Sequence, residues 1–240
     1  MQHSFGPGPM TPAVRALLVA TVAVFLAEFF APGPLVGLFG LTPRLLFARA
    51  TLWQLATYLF VHSPGSIWHI LFNMLALWMF GVDLERRWGS RAFTTYYFAC
   101  GIGAGLCTVL VSLLPIDAAR ASYDVPTIGA SGAIYGLMLA WALLFPDRQI
   151  YFMGLVPMPP RLFVILMGAI AFMSALSATN NGVANVAHLG GLLVGWLYLR
   201  GPRNLRLELS YRLTRWKMDR MRRKFDVHRG GRDDWERHIH

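Results

Sequence analysis

The chain has 240 residues, 55% of them hydrophobic and only 14% charged, with a formal net charge of +10. Its apolar runs are too long for core strands and exclude an ordinary soluble globular domain. A transmembrane β-barrel is excluded as well, because the runs do not alternate with a period of two and lack hairpin turn signals.

In chain order, nearly uncharged stretches at about 13–31, 67–82, 92–114, 127–145, 162–179 and 183–199 predict six transmembrane helices, since roughly 17 to 25 apolar residues span the hydrocarbon of a bilayer. The first is not a cleavable signal peptide: only Arg15 precedes its apolar stretch, and no small-x-small site follows "AEFFAPGP". Cys100 and Cys107 lie seven residues apart in the third run and read as packing residues, not a bridge. Composition changes at Gly201-Pro202. Residues 200–240 hold 13 Lys/Arg against 6 Asp/Glu, a net +7, and such an excess at a membrane exit marks the cytoplasmic side.

With the C-terminus inside, six spans put the N-terminus inside too. Loops 83–91 and 146–161 then face the cytoplasm, while 32–66, 115–126 and 180–182 face out. The charges agree, with Arg86, Arg87, Arg91, Arg148 and Arg161 inside against Arg44, Arg49 and Arg120 outside. The chain thus divides into a membrane domain, 1–200, and a basic cytoplasmic tail, 201–240. Leu205, Leu207, Tyr211, Leu213, Trp216, Met218 and Met221 alternate with basic residues in that tail, as in a helix lying on a membrane surface. There is no internal repeat.

Polar side chains inside a bilayer are costly, so the few present are functional candidates. His69 and Asn73 lie in the second helix, Ser131 in the fourth and His188 in the sixth. These helices all enter from the outer face. Counted from starts near Ser66, Thr127 and Gly182, the four residues lie about three to seven positions in, roughly 5–10 Å deep at 1.5 Å per residue. Gly132-x-x-x-Gly136 and Gly191-x-x-x-Gly195 are close-approach motifs that predict contact between the fourth and sixth helices. Gly191 and Gly195 share the helical face of His188.

A serine hydroxyl needs a base, and a histidine within hydrogen-bond reach supplies one. Ser131 is the candidate nucleophile and His188 the candidate base. No carboxylate lies in either helix, so the pair reads as a dyad. Negative charge on the attacked carbonyl needs donors. His69 and Asn73, at i and i+4, are two; the Ser131 amide, in a helix's first turn, is a third. Gly129 and Gly132 let the backbone crowd close to that carbonyl, and Tyr135 is placed to pack on the His188 ring.

This set resembles the rhomboid family of intramembrane serine proteases, in "HILFN", "GASG" with Tyr135, and "AHLGGLLVG", over about residues 13–200. The resemblance implies an all-α membrane protein, a six-helix bundle whose first outer loop, 32–66, is a partly membrane-embedded hairpin. It implies a serine endopeptidase with no cofactor and no metal, in which Ser131 attacks, His188 is the base, and His69, Asn73 and the Ser131 amide form the oxyanion site. Its substrates would be transmembrane segments of other proteins, cut near their outer ends. The fifth helix and the 180–182 loop would gate the site. Glu85 and Gly89 match the family's junction between the second and third helices. Trp53-Gln54 departs from the Trp-Arg of many members, so that arginine's ionic role does not carry over. By resemblance, the setting is a bacterial inner membrane, with the lipid bilayer and no nucleic acid as partners and no oligomeric state implied.

Other chemistries fit less well. No H-E-x-x-H motif is present. Tyr123-Asp124 stands in an outer loop without a second aspartyl motif, and His69 with His188 lacks a third strong metal ligand. A channel needs a polar path, whereas "ALWMF", "LMLAWALLF" and "LLVGWLYL" are apolar. The remaining alternative is a catalytically silent relative that binds transmembrane helices; such a protein would lack the serine or the histidine.

Overall fold

The computed structural model describes residues 6–115, 120, 122–152, 156–176, 182–201 and 220. The chain divides into two compact units, Met1–Leu199 and Arg200–His240. The second is described only at Arg200, Gly201 and Arg220, so the predicted surface helix of the tail lies outside the described residues.

The first unit is helical. α1 (Pro12–Glu28) is followed by three short helices, α2 (Pro32–Phe39), α3 (Pro43–Arg49) and α4 (Gln54–Thr57), and a 3-10 turn at Tyr58–Phe60. Next come α5 (Ile67–Trp88), α6 (Ser90–Ser112) and α7 (Ser131–Leu144), a small antiparallel pair β1 (Ile150–Phe152) and β2 (Val156–Met158), and then α8 (Pro160–Leu176) and α9 (Gly182–Arg200). Each predicted apolar run falls on a helix. By length and composition, α5 and α6 are long and apolar enough to cross a membrane.

Several boundaries differ from expectation. α5 runs to Trp88, beyond the predicted end near 82, because Asp83 and Glu85 are buried with partners inside the protein. Trp141 donates its indole N–H to Asp83 at 3.0 Å, and Arg148 pairs with the same carboxylate. The unit is helical as expected, and loop 146–161 adds the short β1–β2 pair, with Ile150 opposite Met158. Three-residue strands between helices leave no periodic signal in a sequence. The 32–66 loop carries the short helices α2, α3 and α4 and the 3-10 turn.

Glu85 fastens the first helix. α1 begins Thr11-Pro12 with no acidic residue in its first turn, and Glu85 supplies the missing anion. The amides of Ala13 and Val14 each donate to it at 2.9 Å, and the Thr11 and Ser90 hydroxyls donate as well. A carboxylate satisfying unpaired first-turn amides also complements the helix dipole. At Gly89, φ +80 lets the chain reverse between α5 and α6.

Gln54 fastens the first loop. Its side chain is fully buried and accepts from the Thr42 amide (3.2 Å) and Thr51 hydroxyl (3.1 Å), while donating to the carbonyls of Gly37 (3.1 Å) and Leu38 (3.3 Å). A neutral amide, donor and acceptor at once, closes this loop without an ion.

α7 is buried almost all round, as a uniformly apolar helix should be. It packs against α5, α6 and α8, and Gly132 meets Gly191 of α9 backbone to backbone. Apolar side chains cover the outside as well as the core. Trp68, Phe72, Leu110, Ile165, Phe172, Met173 and Leu197 are exposed, whereas Glu28, Gln54, His62, Asp83 and Glu85 are buried. That distribution suits hydrocarbon as the solvent, where polar groups must be satisfied internally.

Candidate active site

Ser131 is the first residue of α7. The sequence predicts this helix from about Thr127, and the structure corrects that start. Thr127 instead pairs with Leu41, by amide-to-carbonyl bonds of 3.0 and 2.8 Å, and Gly129 turns the chain with φ +109. This φ is one that side-chain-bearing residues rarely adopt. A Cβ at Gly129 would also stand 2.7 Å from His69 Nε2. The turn therefore ends in a serine at the open mouth of a helix, where backbone amides lack intrahelical acceptors.

Ser131 Oγ and His188 Nε2 are 2.8 Å apart. His188 is the seventh described residue of α9 while Ser131 is the first of α7, so the two meet although they stand at different counts along their helices. Equal depth from equal helix starts is thus not what brings them together. Glycine contact does. A Cβ on Gly191 would lie 1.9 Å from the Gly132 carbonyl oxygen, and one on Gly195 would lie 3.1 Å from the Cα of Gly136. Gly136 itself is closed in by Cys100 and by the Gly191 carbonyl. Both cysteines are free.

The imidazole of His188 stacks on Tyr135, ring centroids 4.3 Å apart and 5° from parallel. Its Nδ1 is buried and has no hydrogen-bond partner among the described residues. Among the described residues, the aromatic contact made by this imidazole ring is the face of Tyr135.

His69 and Asn73 lie one turn apart on α5, with His69 Nε2 beside Gly129. Asn73 donates one amide hydrogen to the His69 carbonyl at 2.8 Å, which fixes the side chain and leaves its second N–H to point elsewhere. The His69 ring packs on that of His62, centroids 4.9 Å apart. His62 and Glu28 are polar neighbours that the sequence reasoning missed. Glu28 had a signal, as the single carboxylate in the first apolar run; His62 sits in a loop, where a histidine is unremarked. Burial, and then the charge of a protonated His69 neighbour, push the His62 imidazole down to about 4. Asp124 pairs with Arg44 at 2.8 Å and takes no part in the cluster. Residues 177–181, which include most of the predicted 180–182 cap, lie outside the described residues.

Residues 49–201, which contain the whole Ser131, His188, His69 and Asn73 cluster, match the Rhomboid domain family. The chain belongs to the rhomboid family. This rhomboid is 34% identical over 137 residues to Rhomboid protein 1, mitochondrial, of Saccharomyces cerevisiae, covering 57% of this chain and 38% of that protein. It is 32% identical over 158 residues to Rhomboid protease GluP of Bacillus subtilis, covering 66% and 27%. With Rhomboid protease AarA of Providencia stuartii it shares 28% over 209 residues, covering 80% and 74%. The chain therefore spans well under half the length of the first two relatives. Rhomboids are membrane-integral and include named proteases.

Proposed function

We propose that this rhomboid is an intramembrane serine endopeptidase that hydrolyses peptide bonds in or near transmembrane segments of other membrane proteins. The observation that carries the proposal is the 2.8 Å contact between Ser131 Oγ and His188 Nε2, with Tyr135 stacked on the base. Among rhomboids, a silent binder of transmembrane helices has no need of that pairing.

In the proposed reaction, His188 Nε2 takes the Ser131 proton as Oγ attacks the scissile carbonyl. The oxyanion receives hydrogen bonds from the Ser131 amide, Asn73 and His69, in a setting where one such donor is worth about 3–4 kcal/mol. His188 then protonates the leaving amine, and water, deprotonated by the same base, releases the acyl group. The six predicted helices are taken as six spans, with both termini on the cytoplasmic side and the cluster toward the outer face.

Purified protein in detergent is expected to cleave a transmembrane test substrate, and a fluorophosphonate is expected to label Ser131. Ser131→Ala and His188→Ala should each abolish cleavage. Unimpaired cleavage by Ser131→Ala refutes the proposal.

A further inference from the structure

We infer that Glu28, at the end of α1, is a positioning residue for the turn that delivers Ser131, acting through His62; the inference rests on the protease proposal above. Glu28 is the single acidic residue of α1, and its side chain has no exposure. Both carboxylate oxygens accept the backbone N–H of His62, at 3.2 and 3.1 Å. An ionisable group is not buried in a lipid-facing helix without a partner that needs it, and the described partner is this one amide.

His62, itself fully buried, passes the constraint on. The Ala130 amide donates to His62 Nε2 at 3.4 Å. An amide only donates, so Nε2 must be bare and the ring proton must sit on Nδ1. From there it points to the Phe60 carbonyl, 3.3 Å away. The two contacts demand the same tautomer. The same segment makes a second bond to the turn, the Gly129 amide donating to the Tyr58 carbonyl at 2.9 Å. The residues just before the nucleophile are therefore held by the 58–62 segment, and that segment is tied to α1 by Glu28. Although α1 contributes nothing to the Ser131–His188 pair, it governs the angle at which the Ser131 amide and hydroxyl meet a carbonyl. Small displacements there cost turnover, not substrate affinity.

The test uses the full chain in detergent. Glu28→Leu is expected to lower kcat at least about tenfold with KM within about twofold of wild type. Glu28→Gln, which keeps an acceptor of the same reach, should restore kcat to within about threefold. In a His62→Ala background, Glu28→Leu should cost less than it does in wild type, because one of the two bonds that carry its effect to the turn, from the Ala130 amide to the His62 ring, is already gone. An unchanged kcat in Glu28→Leu, no rescue by glutamine, or an additive loss overturns the inference. Nitrogen-15 NMR of histidine-labelled wild type gives a test that depends on neither variant folding nor activity: His62 should carry its proton on Nδ1, and a proton on Nε2 overturns the inference. Loss of the protease proposal would instead appear as cleavage that survives Ser131→Ala, or as a wild type that does not cleave.

Discussion

Replacing Gly191 with alanine tests whether glycine contact sets the distance between Ser131 and His188. The added Cβ would lie 1.9 Å from the Gly132 carbonyl oxygen, with the Gly132 carbonyl carbon at 2.8 Å. These are backbone atoms and cannot rotate away. Ordinary contact begins at 3.4 Å, so the helices must part by about 1.5 Å at this crossing. Gly132 adjoins Ser131, and Gly191 lies one turn from His188. Carried to that neighbouring level, the same displacement takes the 2.8 Å Oγ to Nε2 contact beyond hydrogen-bond length. A misplacement of about 1 Å costs on the order of 100-fold in rate, so kcat of Gly191→Ala should fall about 100-fold or more, as should the rate of fluorophosphonate labelling. The control is Gly33→Ala, where an added Cβ meets nothing within 4 Å; both rates should stay near wild type. If Gly191→Ala cleaves within about threefold of wild type, close approach does not set the dyad distance.

Asn73→Ala removes one proposed oxyanion donor and should lower kcat about 100-fold while leaving KM within a few-fold; a rise in KM alone would take Asn73 out of that role. Gln54→Leu strips the buried Thr42 amide and Thr51 hydroxyl of their shared acceptor. At about 1–3 kcal/mol per buried unsatisfied group, detergent melting should show a loss of about 2 kcal/mol or more, and an unchanged melting temperature would contradict this account of the loop. His62 titrates near 4 in the folded chain against 6.5 as the ordinary value. The unfolded chain therefore takes up the proton first as pH falls, and stability present above about 6.5 is lost toward about 4, by at most about 3 kcal/mol. The stability difference between wild type and His62→Leu should shrink across that window; a difference that stays constant with pH refutes the link.

The parts of this protein legible in its sequence are those governed by the bilayer and by helix geometry. Length and apolarity placed a helix at every predicted run, and Gly-x-x-x-Gly spacing predicted which helices touch. The pairing of Ser131 with His188 followed from both. Depth counting was less secure: it started α7 near Thr127, but Gly129, at φ +109, and the bridge from Thr127 to Leu41 delay the helix to Ser131. Local apolarity does not report such a delay, since Ile128 and Ala130 would suit a helix equally well. The β1–β2 pair was too short to show a period, and the bonds from Glu28 to His62 and from Gln54 to Gly37 join residues far apart in the chain or in a loop without periodicity. Only tertiary structure brings those together.

A division of labour follows from the solvent. Hydrocarbon gives helices no hydrophobic reason to associate, so close packing and internal polar bonds must hold them. Here the two act on different coordinates. Glycines at the α7 and α9 crossing fix how near Ser131 and His188 come, because backbone contact admits no slack. Buried polar groups fix direction at the ends of elements: Glu85 at the start of α1, Gln54 in the first loop, and Glu28 with His62 at the turn before α7. Enlarging a glycine should therefore break the Ser131–His188 hydrogen bond outright, whereas altering a polar tie should leave that bond made but misaligned. The two kinds of substitution are separable by whether the Ser131 to His188 hydrogen bond survives.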